Sequence, residues 1–479
     1  MGARSNLFQI PPNLLSLSVQ TTRRATMLSN SADKIRADDR AHYLHPWDSL
    51  EEWGKAQRFV AARGDGIYLW DAEGRRYIDG PGGQWCVNIG YGRHEMAEVA
   101  AQQMMDLPYY SPWLATAEAP AALAAKLADL APDGMNAVQF TCGGSTAVDT
   151  AVRTVHFVNN RRGLPDKKIV IAREKGYHGS TFLAATVSGK ERDLSHFDIW
   201  RDRVHFLPDV SPNQRPDDVS LEDWCDQKVD DLERAIIDIG PDRVGAFIAE
   251  PVLCSGGVII PPPGYHQRTL EVCRKHDVFY ISDEVVTSFG RLGHWFASQD
   301  VFGIEPDFIT TAKGLTSGYL PLGACLIHDS VLDMITGPDH AVLFPNGYTY
   351  SGHPVCCAVA LKNIEIIETE GLLDHVKAVA PHFLSRLEAL RSSPVVGDVR
   401  GIGLVGCIEG MLRAGDTPLA VQRDLGARLD AVCEEMGLIV RPLINRAVFS
   451  PALIITKTQI DEMFDILEAA LDRVATEFA

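Results

Sequence analysis

The sequence lacks the long apolar runs of a membrane protein. No stretch approaches the ~20 apolar residues of a membrane span, and the longest candidates contain charges or prolines. It also lacks a block of basic residues, and 45 lysines and arginines against 63 acidic residues leave a formal net charge of -18. An acidic surface repels nucleic acid and anionic lipid. We therefore expect no nucleic-acid or membrane partner, and we expect chemistry on small molecules.

Metal-site spacing and repeats are missing as well. The ten cysteines form no CxxC pair, and there is no internal repeat or low-complexity tract. His353 precedes Cys356 and Cys357, but adjacent cysteines point apart in a strand and are poorly placed for one ion in a helix. We expect no metal, and reduced thiols in a cytoplasmic protein.

Length and pattern divide the chain. At 479 residues it is too long for one core. Residues 1–40 contain no continuous apolar stretch and predict an N-terminal arm. β-rich segments alternate with helical ones between Gln139 and Leu326, as in a largely parallel sheet, and amphipathic helical patterns dominate after Pro354. We predict an N-terminal segment over 41–82 that joins a smaller α+β domain at 346–479, and a large α/β domain over 83–345.

Local patterns predict individual elements. Alternating residues around a Glu-Gly turn predict a hairpin within Gly66–Asp79. The remaining predictions are helices from Ala358 to Glu370, Leu373 to Arg391, Pro418 to Met436 and Lys457 to Phe478, and strands at Gly403–Gly406 and Leu438–Val440.

Two apolar segments near the middle end in ionisable residues. One runs from Tyr280 into Asp283, and the other, which begins at Phe308, runs into Lys313. Their separation of 313 − 283 = 30 residues suits one βαβ step, which places the ends of both strands at one edge of the sheet. An amine that forms an imine with an aldehyde, and a carboxylate that keeps a pyridine nitrogen protonated, suit pyridoxal phosphate. The pair suggests an enzyme that uses this cofactor.

A phosphate site is the next requirement. Residues 137–140 read as a strand, the glycine-rich loop ends in Gly144 and Ser145, and a helix begins near Thr146. Backbone amides and the helix dipole at such a point hold a dianion. The loop has neither the Walker lysine nor the GxGxxG spacing. Taken alone, it is also compatible with an ordinary helix start.

Three further residues follow predicted strands. The Tyr177 ring could lie against one face of a pyridine while Val285 covers the other. Each has an ordinary alternative: Tyr177 as a half-buried core residue, His178 as a structural histidine and Glu250 as a cap at a strand end. Their common position at strand exits favours the shared site.

From about Gly66 to Pro451 the chain resembles the class III (ω-) aminotransferases, pyridoxal phosphate enzymes of fold type I. The resemblance rests on the segment from Gly83 to Gly92, the glycine-serine loop, and the strings Tyr177-His178-Gly179, Glu250-Pro251-Val252, Asp283-Glu284-Val285, Ala312-Lys313-Gly314 and Tyr348 to Pro354. It implies the fold type I α/β architecture.

The resemblance also implies roles for single residues. Lys313 would be the Schiff-base lysine, Asp283 the partner of the pyridine nitrogen, and Tyr177 and Val285 the two covers of the ring. Gly144 and Ser145 would grip the phosphate. Thr349 resembles a phosphate ligand supplied by the other subunit, which implies a homodimer with shared active sites and is also compatible with a tetramer.

The substrates follow from the same resemblance. Arg441 resembles a mobile arginine that binds a carboxylate, and Trp85 a bulky wall of a small pocket in the amine:pyruvate branch; without the resemblance, Arg441 reads as a surface residue at a strand end. An amine or ω-amino acid donor and a keto acid acceptor, pyruvate rather than 2-oxoglutarate, are implied. Thr146 replaces a usual glutamate and Ser288 a usual glycine.

Other reactions on the same scaffold remain open at this point. Aminomutases and decarboxylases share Lys313 and Asp283, and a catalytically silent binding protein is a further alternative that the intact site disfavours. The sequence does not identify the donor.

Overall fold

A computed structural model describes residues 31–337, 342–410 and 419–478. Most of the predicted N-terminal arm, residues 1–30, lies outside the described residues. The chain divides into two compact units. One is Met1–Ala62 with Asp71–Gly74, and it contains the helix α1 (Ala32–His42). The other is Arg63–Trp70 with Arg75–Ala479, and it contains every predicted site residue. The finer division into domains stays a prediction.

The larger unit holds the other helices and most of the strands. The helices are α2 (Gly82–Trp85), α3 (His94–Asp106), α4 (Glu118–Leu130), α5 (Gly144–Arg161), α6 (Phe182–Thr186), α7 (Glu191–Leu194), α8 (Leu221–Ile239), α9 (Tyr265–Lys275), α10 (Ala297–Asp300), α11 (Asp329–Asp333), α12 (Pro354–Thr369), α13 (Leu372–Ala389), α14 (Leu419–Glu435) and α15 (Lys457–Glu477). The strands of the chain are β1 (Ala61–Asp65), β2 (Tyr68–Asp71), β3 (Arg76–Asp79), β4 (Ala137–Thr141), β5 (Ile169–Arg173), β6 (Val204–Leu207), β7 (Val244–Ala249), β8 (Phe279–Asp283), β9 (Phe308–Thr311), β10 (Gly323–Ile327), β11 (Val396–Ile402), β12 (Val405–Gly410), β13 (Leu438–Ile439), β14 (Arg441–Leu443) and β15 (Arg446–Phe449).

A seven-stranded sheet of order β4-β10-β9-β8-β7-β5-β6 forms the centre of the large unit. The pairs from β9 to β6 are parallel, whereas β10 pairs antiparallel with both β4 and β9. The predicted mostly parallel sheet of an α/β fold is confirmed.

Both faces of this sheet are covered, which explains its nearly continuous apolar strands. On one face Val170, Ile248 and Ile281 pack with the apolar side of α5. On the other face Phe247 and Tyr280 pack with residues of α8 and α9. The sheet is thereby fixed between helical layers, and only its strand ends and the loops after them are open to ligands.

Two smaller sheets complete the architecture, with orders β1-β2-β3-β13 and β11-β12-β15-β14. The predicted hairpin is confirmed, since β2 pairs antiparallel with β3. β13 pairs in parallel with β3. The four predicted C-terminal helices are α12, α13, α14 and α15, although α12 begins earlier, with Pro354 in its first turn.

The predicted strand at Gly403–Gly406 is confirmed only for Val405 and Gly406, which begin β12. Gly403 and Leu404 instead form the turn between β11 and β12, which pair antiparallel. Gly403 has φ +58, and a Cβ there would lie 2.7 Å from the carbonyl oxygen of Arg291. A short apolar run does not distinguish a strand from a buried turn. No described helix is both long enough and apolar enough to cross a membrane.

Candidate active site

Three neighbouring parallel strands, β7, β8 and β9, position the central residues of the predicted site at their ends. β7 ends at Ala249, β8 ends at Asp283 and β9 ends at Thr311, so Glu250, Asp283 and Lys313 meet at one edge of the sheet. The predicted common edge is present. The chemical role of each residue remains a prediction.

Asp283 is a buried carboxylate with defined partners on both oxygens. Its Oδ2 lies 2.6 Å from His178 Nδ1, and because a carboxylate accepts, Nδ1 is the donor. Its Oδ1 accepts from Thr310 Oγ1 at 3.1 Å and from the Val285 amide at 3.2 Å. A buried charge is tolerated only when it is paired or hydrogen-bonded. Asp283 is therefore held in one orientation at the strand end.

Glu250 supports the loop that carries Tyr177. Its Oε1 accepts the Tyr177 amide hydrogen at 2.9 Å. Burial raises the pKa of the Glu250 carboxyl, while the nearby His178 opposes this rise. Tyr177 and His178 thus lie beside the Asp283 strand end, as predicted.

The glycine-serine loop and the Tyr177 loop pack closely together. The Ser145 Oγ accepts the Ser180 amide hydrogen at 3.1 Å. A Cβ on Gly179, whose φ is +141, would lie 2.4 Å from Ser145 Oγ and 2.7 Å from Ser145 Cα. Only glycine permits this approach.

Val285 and the lysine segment complete the contact with the loop. A Cβ on Gly144 would lie 3.1 Å from both methyl carbons of Val285 and 3.7 Å from the Cβ of Ala312, which precedes Lys313. After the lysine, a Cβ on Gly314 would lie 2.5 Å from Asn88 Nδ2. The glycines allow the phosphate loop, Val285 and the Lys313 segment to converge.

Trp85 reaches the site on a left-handed turn. Gln84 and Trp85 have φ of 63 and 71, a conformation that L residues rarely adopt. Asp79 Oδ2 stabilises the turn by accepting from the Gly83 amide at 2.7 Å and from the Tyr91 hydroxyl at 2.6 Å.

The Arg441 guanidinium, at the start of β14, lies 5.5 Å from the centroid of the Trp85 ring. Burial lowers the pKa of Arg441, and its charge interacts with Tyr177. The two residues predicted to bind substrate are therefore adjacent.

Thr349 is the exception among the predicted site residues. It is exposed, and its carbonyl accepts the Tyr109 hydroxyl hydrogen at 2.7 Å. Within the described part of one chain, no hydrogen bond links Thr349 to Gly144 or Ser145.

Both departures from the usual loop sequences are accommodated. Thr146 Oγ1 donates to the Gly143 carbonyl at 2.8 Å and accepts from the Cys142 amide at 3.2 Å, so it closes the loop internally. The buried Ser288 hydroxyl donates to the Glu284 carbonyl at 2.7 Å and lies 2.7 Å from Thr311 Oγ1.

Three residues near the site escaped the sequence analysis. Thr310 holds Asp283, Asp79 holds the turn before Trp85, and the amine of Lys190 lies 5.2 Å from the Tyr177 ring centroid. Thr310 could have been found from its place in the predicted strand before Lys313. No pattern in the sequence identifies Lys190, because its partner Ser255 is distant in the chain, and Asp79 reads only as the last residue of the predicted hairpin although its partners Gly83 and Tyr91 are close in the chain.

The residues present fit pyridoxal phosphate. The 18-residue helix α5 begins at Gly144, and a Cβ on the preceding Gly143 would meet no atom within 4 Å. This is an open helix N-terminus suited to a phosphate dianion. The buried Asp283 suits a protonated ring nitrogen, and Lys313 supplies an amine. Within 31–337, 342–410 and 419–478, no three His, Cys, Asp or Glu side chains are grouped to hold a metal ion.

Comparison with known proteins gives consistent matches. The family described as Aminotransferase class-III matches residues 50–471. Putrescine–pyruvate aminotransferase from Pseudomonas aeruginosa is 37% identical over 442 residues, which cover 92% of this chain and 96% of that protein. Mitochondrial gamma-aminobutyrate transaminase 1 from Oryza sativa subsp. indica is 36% identical, with 91% and 85% covered.

Solved structures agree with these relatives. An (S)-enantioselective omega-transaminase from Thermomicrobium roseum superposes with a TM-score of 0.89 at 35% identity, covering 93% of this chain and all of that one. These proteins are transaminases, which does not favour the aminomutase or decarboxylase alternative. The fold type I architecture is confirmed by the same matches. The chain belongs to the class III aminotransferases, and it is a pyridoxal phosphate-dependent enzyme of the ω-transaminase type.

Proposed function

We propose that this enzyme moves the terminal amino group of an amine or ω-amino acid to pyruvate, with pyridoxal phosphate held between Asp283 and the N-terminus of α5. The observation that carries the proposal is the Asp283 carboxylate. It is buried, with hydrogen-bond partners on both oxygens, beside the strand that leads to Lys313. An arrangement of this kind suits a cationic ring nitrogen better than a purely structural role, because burying a carboxylate is costly.

When bound, the cofactor supplies an aldehyde that takes up the amino group and a ring that delocalises electrons from the donor carbon. The side chains of this chain do the rest. Asp283 would keep a proton on the ring nitrogen, and His178, by donating to Asp283 Oδ2 at 2.6 Å, holds the carboxylate in place. The Lys313 amine would hold the cofactor and would act as the base that takes and returns a proton at the donor carbon. Tyr177 and Val285 cover the two faces of the ring.

Phosphate and acceptor are bound by separate groups. Gly144, Ser145 and the first turn of α5 hold the phosphate. The Arg441 guanidinium, partly buried beside Trp85, takes the carboxylate of the keto acid, since burial strengthens such a pair. The Trp85 ring limits the adjacent pocket to a small substituent, which favours pyruvate over longer keto acids. The name of the Pseudomonas aeruginosa relative agrees with pyruvate as acceptor.

The functional unit is proposed to be a homodimer in which Thr349 of the partner subunit completes the phosphate site. Thr349 is exposed, and so are several large apolar side chains close in sequence to Thr349 or to Tyr109, which contacts it. They are Met104, Met105, Tyr110, Trp113, Leu114, Leu343 and Tyr350. Clusters of exposed apolar side chains mark protein interfaces. A cytoplasmic location is proposed because all ten thiols are free.

The absorbance of the loaded protein tests the proposal. Wild type is expected to show a visible band of the bound cofactor, to lose it with an amine donor and to regain it with pyruvate. Lys313→Ala removes the amine and is expected to show no such cycle. Lys362→Ala, which removes a half-buried lysine on α12 paired with Glu365, is the matched control and behaves as wild type. A normal cycle in Lys313→Ala, or a band that pyruvate does not restore in wild type, contradicts the proposal.

A further inference from the structure

Lys190 places a second basic group at the active site. Its Nζ donates to Ser255 Oγ at 2.6 Å and lies 5.2 Å from the Tyr177 ring centroid. Burial lowers the pKa of this amine to about 8, with Glu250 and Asp193 opposing the shift. It therefore remains largely protonated at neutral pH. Neither contact neutralises its charge, because a hydroxyl and a ring face carry none.

Other charges around Lys190 leave the pocket positive. Arg441 and Arg192 are the basic groups whose charge acts on it, and the acidic ones are Glu250 and Asp193. Asp193 pairs with Arg192 at 2.8 Å, and Glu250 accepts the Tyr177 amide hydrogen. In the described part of the chain, no carboxylate lies within salt-bridge distance of Lys190 or Arg441. A partly buried cation without an anionic partner is costly, and a bound anion would remove that cost.

The loop that holds Lys190 is itself fixed. Leu253 and Ile259 form an isolated β-bridge that closes the loop carrying Ser255. Arg446 donates to the Gly256 carbonyl at 3.3 Å, and Arg400 donates to the Gly257 carbonyl at 2.9 Å.

Glu409 pairs with both arginines, at 2.9 Å from Arg400 and 3.0 Å from Arg446. Because the loop that carries Ser255 is fixed, the hydrogen bond to Ser255 holds the Lys190 amine in position before a ligand binds. This reduces the entropy cost of binding.

We propose that Lys190 binds a negatively charged group at the end of the amine donor remote from the reacting amine, so that the donor is an ω-amino carboxylate or sulfonate and not a diamine. The inference rests on the proposed function and names the donor class of that same site. The keto acid carboxylate remains with Arg441. A diamine would bring a second ammonium toward Lys190 and Arg441, and like charges in a partly desolvated pocket repel. The selectivity would thus differ from that named for the Pseudomonas aeruginosa relative.

Three four-carbon amine donors that differ in the charge at their remote end, negative, neutral or positive, test the proposal. They are 4-aminobutyrate, n-butylamine and putrescine, each with pyruvate as acceptor, assayed as kcat and KM for the holoenzyme. Wild type is expected to prefer 4-aminobutyrate. Lys190→Met is expected to raise KM for 4-aminobutyrate at least about tenfold and to change KM for n-butylamine far less. The same variant is expected to lower KM for putrescine, while KM for pyruvate stays near wild type. Lys190→Arg keeps the charge and restores much of the preference.

Lys228→Met is the matched control. Lys228 also lies over an aromatic ring, 4.3 Å from the Trp224 centroid, but on α8 and away from the site. It is expected to leave the order of donors unchanged. A readout without turnover is the affinity for butyrate, measured by calorimetry on holoenzyme. The Lys190→Met variant is expected to bind butyrate at least about fivefold more weakly than wild type.

The outcomes separate the two proposals. If wild type prefers putrescine, or if Lys190→Met weakens all three donors equally, Lys190 does not select an anionic donor. Equal butyrate affinity in wild type and Lys190→Met also overturns the inference. If no amine bleaches the wild-type cofactor band, the proposed function fails, and the butyrate comparison still decides whether Lys190 binds an anion.

Discussion

Replacing Asp79 is expected to release the turn that carries Trp85. One oxygen, Oδ2, accepts from both the Gly83 amide and the Tyr91 hydroxyl. The turn has positive φ at four successive residues, Gly82 to Trp85, and two of these are not glycine. Left-handed backbone costs roughly 1–2 kcal/mol for each L residue, so the turn needs such support.

The expected loss can be estimated from the contacts. Asp79→Ala leaves two partly buried donors without this partner, at roughly 1–3 kcal/mol each. Burial raises the pKa of the Asp79 carboxyl although hydrogen bonds from Tyr91, Gly83 and Gly82 oppose the rise, which means that the buried charge itself is costly and that its removal offsets part of the loss. We expect the free energy of unfolding to fall by about 3 kcal/mol. Asp79→Asn keeps an oxygen that can accept both bonds, and its loss should be about 1 kcal/mol.

Urea unfolding of the holoenzyme, followed by tryptophan fluorescence at fixed protein concentration, measures these changes. Tyr91→Phe removes one of the two donors and should lie between the two Asp79 variants. Activity offers a second test, because a displaced Trp85 ring no longer limits the small pocket: Asp79→Ala should raise KM for pyruvate more than it lowers kcat. A loss below about 1 kcal/mol for Asp79→Ala, or equal losses for the Asn and Ala variants, would refute the reasoning.

The core of the site could be predicted because it depends on local rules. Apolar segments that end in Asp283 and Lys313, one βαβ step apart, determine which edge of the sheet both residues share. The glycine-serine loop likewise predicts a helix start near Thr146, and the structure begins α5 two residues earlier, at Gly144. These inferences need only the common direction of parallel strands and the right-handedness of the connections between them.

What could not be predicted depends on partners distant in the chain. The antiparallel β10, inserted between β4 and β9, has the same apolar composition as a parallel strand. Gly403 and Leu404 read as part of a strand until Arg291 is placed beside Gly403. Lys190 is an unremarkable lysine in sequence, and only the fold brings it to Ser255, 65 residues later. Short motifs therefore locate cofactor chemistry better than they locate the groups that choose a substrate.

Two further predictions concern a glycine and a buried histidine. Gly179→Ala would force its Cβ against Ser145 and should weaken cofactor binding at least about tenfold. Gly163→Ala, also at positive φ but in open space, should reduce stability only by the backbone strain. Cofactor titration and urea unfolding distinguish the two variants, and equal cofactor affinity of Gly179→Ala and wild type would contradict the prediction. Burial, helped by the nearby Arg173 charge, lowers the pKa of His266 from 6.5 to about 3, although the hydrogen bond that its Nε2 donates to the Pro251 carbonyl at 3.0 Å opposes the shift. Its Nδ1 accepts from the Tyr280 hydroxyl at 2.8 Å. The unfolded chain therefore binds a proton below about pH 6.5 that the folded chain does not, so this histidine lowers stability as the pH falls, by roughly 2 kcal/mol between pH 6.5 and 5. His266→Gln, which keeps a donor and cannot titrate, should be less stable at pH 7.5 yet lose stability less steeply toward pH 5. Because other buried histidines titrate equally in both proteins, the difference between the two slopes measures His266 alone, and parallel slopes would show that it is protonated in the folded state.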